Sequence, residues 1–130
     1  MRVVLDTHAL FHAAMGDAQF TPSGTETLEN TANELFISAI TVWELGLHAE
    51  RGRIVFNEGL DVWLDRVLST LAVGVLPIDR KVMRQTFHLS GFDRKDPADR
   101  IIVATAICED AILVTRDEWM AKWDGVTTVW

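Results

Sequence analysis

Four short apolar runs divide the chain: RVVL at 2–5, LFIS at 35–38, VGVLPI at 73–78 and AILVT at 111–115. Between them lie stretches whose apolar residues recur at helical spacing. Short buried runs alternating with amphipathic helices are the pattern of a parallel sheet, because parallel neighbours need a crossover connection between them. The expected fold class is therefore α/β.

Start and stop signals give the intervening elements. THALFHAAM follows the first strand as a helix and ends at Gly16. TPSGTETLENTA, 21–32, carries Pro and Ser start signals and reads as a second helix. The stretch from Ala39 to Arg51 is helical and stops at Gly52. LDVWLDRVLSTL, 60–71, is strongly periodic, with Leu60, Trp63, Leu64, Val67, Leu68 and Leu71 on one face. DRKVMRQTFHL, 79–89, reads as a helix ended by the Ser90-Gly91 turn. In DPADRIIVATAICED, 96–110, Asp96 is the N-cap, Pro97 the first helical residue and Asp99 the third. DEWMAKW, 117–123, is a short helix, and VTTVW, 126–130, an edge strand.

A chain of 130 residues predicts one domain. A chain of this length buries roughly 65–70% of its unfolded surface. Hydrophobic residues make up 48% and charged residues 24%, which is globular rather than disordered composition. The one cysteine, Cys108, excludes an internal disulfide framework and, in an apolar helical stretch, is expected as a small core residue. Asp6 and His8 interrupt the N-terminal apolar run too early for a signal peptide. No run approaches the ~20 apolar residues of a membrane span, so a soluble cytoplasmic protein is expected, with no membrane partner.

Net charge is −7, but seven of the twelve basic residues fall between 80 and 116: Arg80, Lys81, Arg84, Arg94, Lys95, Arg100 and Arg116. They read either as a basic rim able to grip phosphates or as solvated faces and helix-end charges. There are five tryptophans and no tyrosine. Trp43 and Trp63 lie at helical spacing with leucines, as core or groove lining. Trp119 and Trp123, four apart, share a helix face, open to base stacking or to a protein interface.

Four acids lie at the junctions of these elements. Asp6 follows the first strand, and Asp117 lies two residues past the fourth. Glu44 is in the helix after the second strand, and Asp99 is in the first turn of the helix leading into the fourth. In open parallel sheets, ligands bind beyond the carboxyl ends of the strands. Each acid alone has a structural reading. Asp6 and Asp117 read as N-caps, Asp99 as a helix-dipole charge and Glu44 as a surface glutamate. All four at one edge read as a site, and capping does not explain Glu44. Two carboxylates at about 5 Å repel by about 3 kcal/mol at an effective dielectric of about 20, so such a cluster needs a cation. Oxygen ligands suit Mg²⁺ or Mn²⁺, and His8, His12, His48 and His88 do not cluster with Cys108 as a zinc set. A metal-bound water then attacks a phosphodiester.

LDTHAL at 5–10, ISAITVWELGLHAERGRI at 37–54, DPADRIIVATAI at 96–107 and LVTRDEW at 113–119 resemble, in this order, the motifs of PIN-domain ribonucleases, and specifically the VapC toxins of bacterial toxin–antitoxin pairs. The resemblance spans nearly the whole chain. It implies a three-layer α/β/α fold around a mostly parallel sheet, and Mg²⁺- or Mn²⁺-dependent RNA cleavage by an activated water. It implies Asp6 and Asp99 as main metal ligands. Glu44 and Asp117 ligate the metal or orient its water, and Thr115 is a hydroxyl beside them. A homodimer and a cognate antitoxin, often with an arginine in the acidic cleft, are the implied partners. Two positions depart from the pattern: Ala98 stands where many relatives carry a bulky aromatic, and His48 where many carry Lys. Asp96 reads as N-cap first and Asp93 as a solvated loop charge.

Two other readings remain beside the nuclease. One is a non-catalytic PIN-like module that binds RNA or protein, against which all four acids argue. The other is an aspartyl-phosphate phosphohydrolase, which expects a second Asp two residues after the nucleophile. The run here is Asp6-Thr7-His8.

Overall fold

The computed structural model describes residues 1–16 and 19–130. In chain order the elements are β1 (Arg2–Leu5), α1 (Thr7–Met15), α2 (Pro22–Glu29), β2 (Glu34–Ser38), α3 (Ala39–Glu50), α4 (Leu60–Leu71), β3 (Val73–Leu76), α5 (Arg80–Gln85), α6 (Pro97–Cys108), β4 (Ile112–Val114), α7 (Glu118–Lys122) and β5 (Thr128–Val129).

The five strands form one sheet in the order β3-β2-β1-β4-β5, and every pairing is parallel. β1 is therefore central. From it the chain runs outward through β2 to β3, then returns across the sheet through α5 and α6 to β4 on the other flank. The order reverses at β1, so the gap between the connections from β1 and from β4 opens beyond their carboxyl ends.

Side chains alternate strictly across the sheet, as a two-residue repeat requires. Val3, Leu5, Ile37 and Val114 join a core with Leu10, Leu45, Trp63, Leu64 and Val67, under α1, α3 and α4. Val4 and Leu113 join the opposite core with Ile102, Val103, Ala106, Phe92 and Met120, under α6 and α7. The two cores make three layers, α/β/α. Strands buried on both faces read as continuous apolar runs rather than as alternation, which is why they stand out in the sequence.

Helix starts follow the capping residues. Asp6, Thr21, Ser38, Asp79, Asp96 and Asp117 each accept a backbone N–H of the following first turn. Gly16 ends α1 at φ 65, the left-handed region where glycine is unstrained.

Several extents are shorter than the sequence suggests. The helix expected over 79–89 stops at Gln85, because the Arg100 guanidinium takes the Thr86 carbonyl (2.6 Å). The third strand ends at Leu76, before Pro77, which has no N–H for the ladder. The second helix stops at Glu29, the sixth at Cys108 and the seventh at Lys122. Cys108 is only half-buried at the end of α6, with its sulfur near the Lys81 carbonyl, and is not a core residue. Trp63 is in the core at 8% exposure, but Trp43 is 57% exposed, because α3 buries Leu45 and turns position 43 outward. No helix among the described residues is long and apolar enough to cross a membrane.

Leu113 is fully buried in β4, between the central strand and the edge. Its replacement by Ala is expected to cost about 2–5 kcal/mol. Urea denaturation checks this: the midpoint falls with little change in slope.

Candidate active site at the carboxyl edge of the sheet

The register Leu5↔Val114 brings the residues that follow β1 and β4 side by side. The Asp6 N–H donates to the Val114 carbonyl (3.0 Å), continuing the ladder one step past β1. One Asp6 carboxylate oxygen caps α1 through Ala9 N–H (2.7 Å). The Thr115 hydroxyl, 2% exposed, hydrogen-bonds the Asp6 carboxylate and accepts the Asp117 N–H (3.1 Å). Asp6, Thr115 and Asp117 are thus joined through one buried hydroxyl.

Asp117 caps α7, its Oδ1 accepting Trp119 and Met120 N–H at 3.0 Å each. Both of its oxygens also accept the Arg94 guanidinium, at 2.7 and 2.6 Å. Asp99, in the first turn of α6, lies 3.5 Å from another nitrogen of the same guanidinium. Glu44, in the middle of α3, accepts the Thr7 hydroxyl at 2.5 Å. Thr7 has then given its only proton, so the buried Thr41 hydroxyl (3.1 Å) donates to Thr7. A short O–H to carboxylate bond of this kind is charge-assisted.

The four acids interact around a closed ring: Asp6 with Asp117, Asp117 with Asp99, Asp99 with Glu44, and Glu44 with Asp6. Burial is the main force raising the Asp6 carboxyl, opposed by the Thr115 and Ala9 hydrogen bonds. Burial also raises Glu44, opposed by Thr7, with Asp96 and Asp6 adding repulsion. Asp99 is pushed up to about 6, by burial first and then by Asp96, with Arg94 opposing. Three neighbouring carboxyls that all resist ionisation are a place where a cation stabilises the charged forms.

The donors are all oxygen, the set that Mg²⁺ and Mn²⁺ prefer. As the side chains stand, no three acidic, histidine or cysteine groups among the described residues converge into a coordination set. Mg²⁺ commonly takes one or two carboxylates directly and keeps its remaining waters, so the ring fits an ion bound partly through water.

The structure adds residues the sequence reading missed. Thr7 and Thr41 support Glu44. Thr7 directly follows Asp6 in LDTHAL, and that adjacency was its only signal. Asp96 caps α6, as expected, and also acts electrostatically on Glu44 and Asp99. Asp93 is exposed, and Ala98 is buried at the start of α6.

The basic residues do not form one rim. Arg100 is internal, donating to the carbonyls of Thr86, Phe92 and Arg94. Arg94 is paired with the acids. Arg116 reaches Gln19 and the Trp130 ring, and Lys81 caps the Cys108 carbonyl (3.3 Å). Arg80, Lys81, Arg84 and His88 line one groove beside α5. Trp119 and Trp123 share a face, as expected, and both meet Phe92 edge-on at 5.0 and 5.1 Å.

A pH dependence follows from Asp99. Its folded value of about 6 lies above the ordinary 3.8, so the folded chain binds more protons between the two. The stability that this group contributes is complete below its ordinary value and is lost as pH rises through about 6. In divalent-free buffer, Asp99→Asn is therefore expected to melt above the native chain at neutral pH, with the gap closing under acid conditions. The lost Arg94 contact opposes this by less than about 1 kcal/mol. Calorimetric Tm values across the acid range check it, and a variant that melts lower at neutral pH contradicts it.

Comparison with known proteins agrees with this geometry. The PIN domain family model matches residues 3–126. The chain is 32% identical over 116 residues to Ribonuclease VapC22 of Mycobacterium tuberculosis (strain ATCC 25618 / H37Rv), covering 88% of this chain and 86% of that protein. Among solved structures, VapBC2 from Rickettsia felis bound to a promoter DNA fragment superposes with a TM-score of 0.74 at 22% identity, over 98% of this chain and 97% of that one. VapBC-5 from Mycobacterium tuberculosis does so with a TM-score of 0.64 at 20% identity, over 98% and 97%. With its all-parallel sheet, its carboxyl-edge acids and a family match over nearly its full length, the chain belongs to the PIN-domain family.

Proposed function

We propose that this chain, working as a single domain, is a divalent-metal-dependent endoribonuclease and the toxin of a toxin–antitoxin pair. The observation that carries this reading is the closed ring of four mutually repelling acids at the switch point of the sheet. A relative named a ribonuclease and structural neighbours that are toxin–antitoxin complexes support the class of reaction and of partner.

Asp6 and Asp99 are the residues assigned to hold the ion. Glu44 and Asp117 ligate it or orient its waters. When bound, Mg²⁺ or Mn²⁺ supplies an acidified water and screens the phosphate charge. Thr115 fixes the Asp6 carboxylate relative to Asp117. Thr7, backed by Thr41, fixes Glu44. The hydrolysis forms a bond from the water oxygen to phosphorus and breaks one phosphodiester P–O bond; a carboxylate of the ring accepts the water proton, and the departing oxygen takes up a proton to leave as a hydroxyl. The antitoxin is a protein that covers the acidic cleft, and the active toxin is a homodimer.

Purified protein with Mg²⁺ or Mn²⁺ is expected to cut structured RNA, and EDTA to stop it. Asp6→Asn is expected to lower the rate by about 10²-fold or more. Cleavage that survives both EDTA and Asp6→Asn contradicts the metal reading, whereas tight RNA binding without cleavage favours a binding module. Thr7→Val, which leaves every acid in place, is expected to cost roughly 10–100-fold, as loss of a ligand's hydrogen-bond partner does elsewhere. In cells, expression of the chain alone is expected to arrest growth and Asp99→Ala to relieve the arrest, read as colony counts.

A further inference from the structure

The acid ring already holds a cation, and it belongs to the chain. Arg94 grips Asp117 through both oxygens at 2.7 and 2.6 Å and approaches Asp99 at 3.5 Å. Its guanidinium carbon lies 5.3 Å from the centre of the Trp119 ring. Among the described residues it is the only basic side chain in ion-pair contact with these acids.

The segment that carries Arg94 is pinned. Arg100, from inside α6, donates to the Phe92 carbonyl (3.2 Å), to the Arg94 carbonyl (3.0 Å) and to Thr86 (2.6 Å). Phe92 is buried against Trp119 and Trp123, and the Trp123 indole N–H holds the Ser90 carbonyl at 2.9 Å. The backbone is thus fixed, while the side chain is 34% exposed and open to solvent on one side. Its three contacts make a preorganised fork rather than a loose surface pair.

The lone pairs of Asp117 are nearly used up. Oδ1 accepts two backbone N–H groups and the guanidinium, and Oδ2 accepts the guanidinium. Oδ1 has no site left and Oδ2 keeps one, so a divalent ion placed there meets the guanidinium charge at contact range and the two cations compete for Asp117. We propose that Arg94 is an exchangeable counter-cation: it occupies Asp117 and Asp99 in the metal-free chain, competes with the divalent ion for them, and thereby weakens metal affinity. This rests on the metal reading of the site. Both pairs are about one-third exposed, so each is worth under about 1 kcal/mol, and the expected competition is about three- to tenfold in affinity.

The test is an Mn²⁺ titration of the full chain, with free ion read by electron paramagnetic resonance, which needs no RNA and no turnover. Arg94→Gln is expected to bind Mn²⁺ about three- to tenfold more tightly than the native chain. Arg94→Lys, which keeps the charge but loses the fork, is expected to fall between them. The metal-free Arg94→Gln chain should melt lower than the native one, with the difference vanishing in saturating Mn²⁺. Lys95→Gln removes the same charge one residue along at an exposed position and should leave affinity nearly unchanged. A gain from Lys95→Gln equal to that from Arg94→Gln overturns the proposal, since general charge then suffices. Equal binding by native and Arg94→Gln chains overturns it too and leaves the metal reading standing. Mn²⁺ uptake by neither chain overturns both.

Discussion

Repulsion among half-buried carboxylates is the constraint around which the rest of this molecule is organised. Asp6, Glu44, Asp99 and Asp117 would separate if the chain allowed it, and each is prevented by an element it cannot leave. Asp6 is locked by the ladder between β1 and β4, and Asp117 by its role in starting α7. Asp99 is locked in the first turn of α6, which crosses the buried face of the sheet, and Glu44 in the middle of α3. The apolar packing that stabilises those elements therefore also holds the charges together.

The protein offsets the repulsion with two buried hydroxyls and one partly exposed guanidinium. Thr115 serves Asp6 and Asp117, Thr7 serves Glu44, and Arg94 covers Asp117 and Asp99. Asp6 and Asp117 are also helix caps, so the same carboxylates that form the site start the helices beside it. Capping and a place at the shared edge, which look like alternatives in the sequence, coexist: Asp6 and Asp117 each start a helix and still interact with one another. An N-cap carboxylate is already oriented by backbone N–H groups, which makes it a stiff ligand.

The fold was largely legible because its strands are buried on both faces and its helices carry strong start signals. Misreadings came where a distant group overrode a local pattern. Arg100 ends α5 early by taking the Thr86 carbonyl from 14 residues away. Trp43 shares leucine spacing with Trp63, yet the sheet claims the other side of α3 and leaves it exposed. The basic residues between 80 and 116 look like one rim in the sequence. In three dimensions Arg100 turns onto backbone carbonyls, Arg94 neutralises the site and Lys81 holds the Cys108 carbonyl.

The sequence by itself determined the parallel α/β class, the helix starts, the four acids and their positions at strand and helix ends. These depend on periodicity, on turn chemistry and on residue identity, all of which are local. The tertiary structure alone decided which flank of β1 each connection takes, that the four acids interact at one edge, and that Arg94 pairs with two of them. Those facts depend mainly on pairs far apart in the chain, such as Arg94 with Asp117 and Asp6 with Asp117, brought together by sheet register and crossover. No local spacing encodes a contact of that range; it exists only once the buried sheet has fixed where each strand ends.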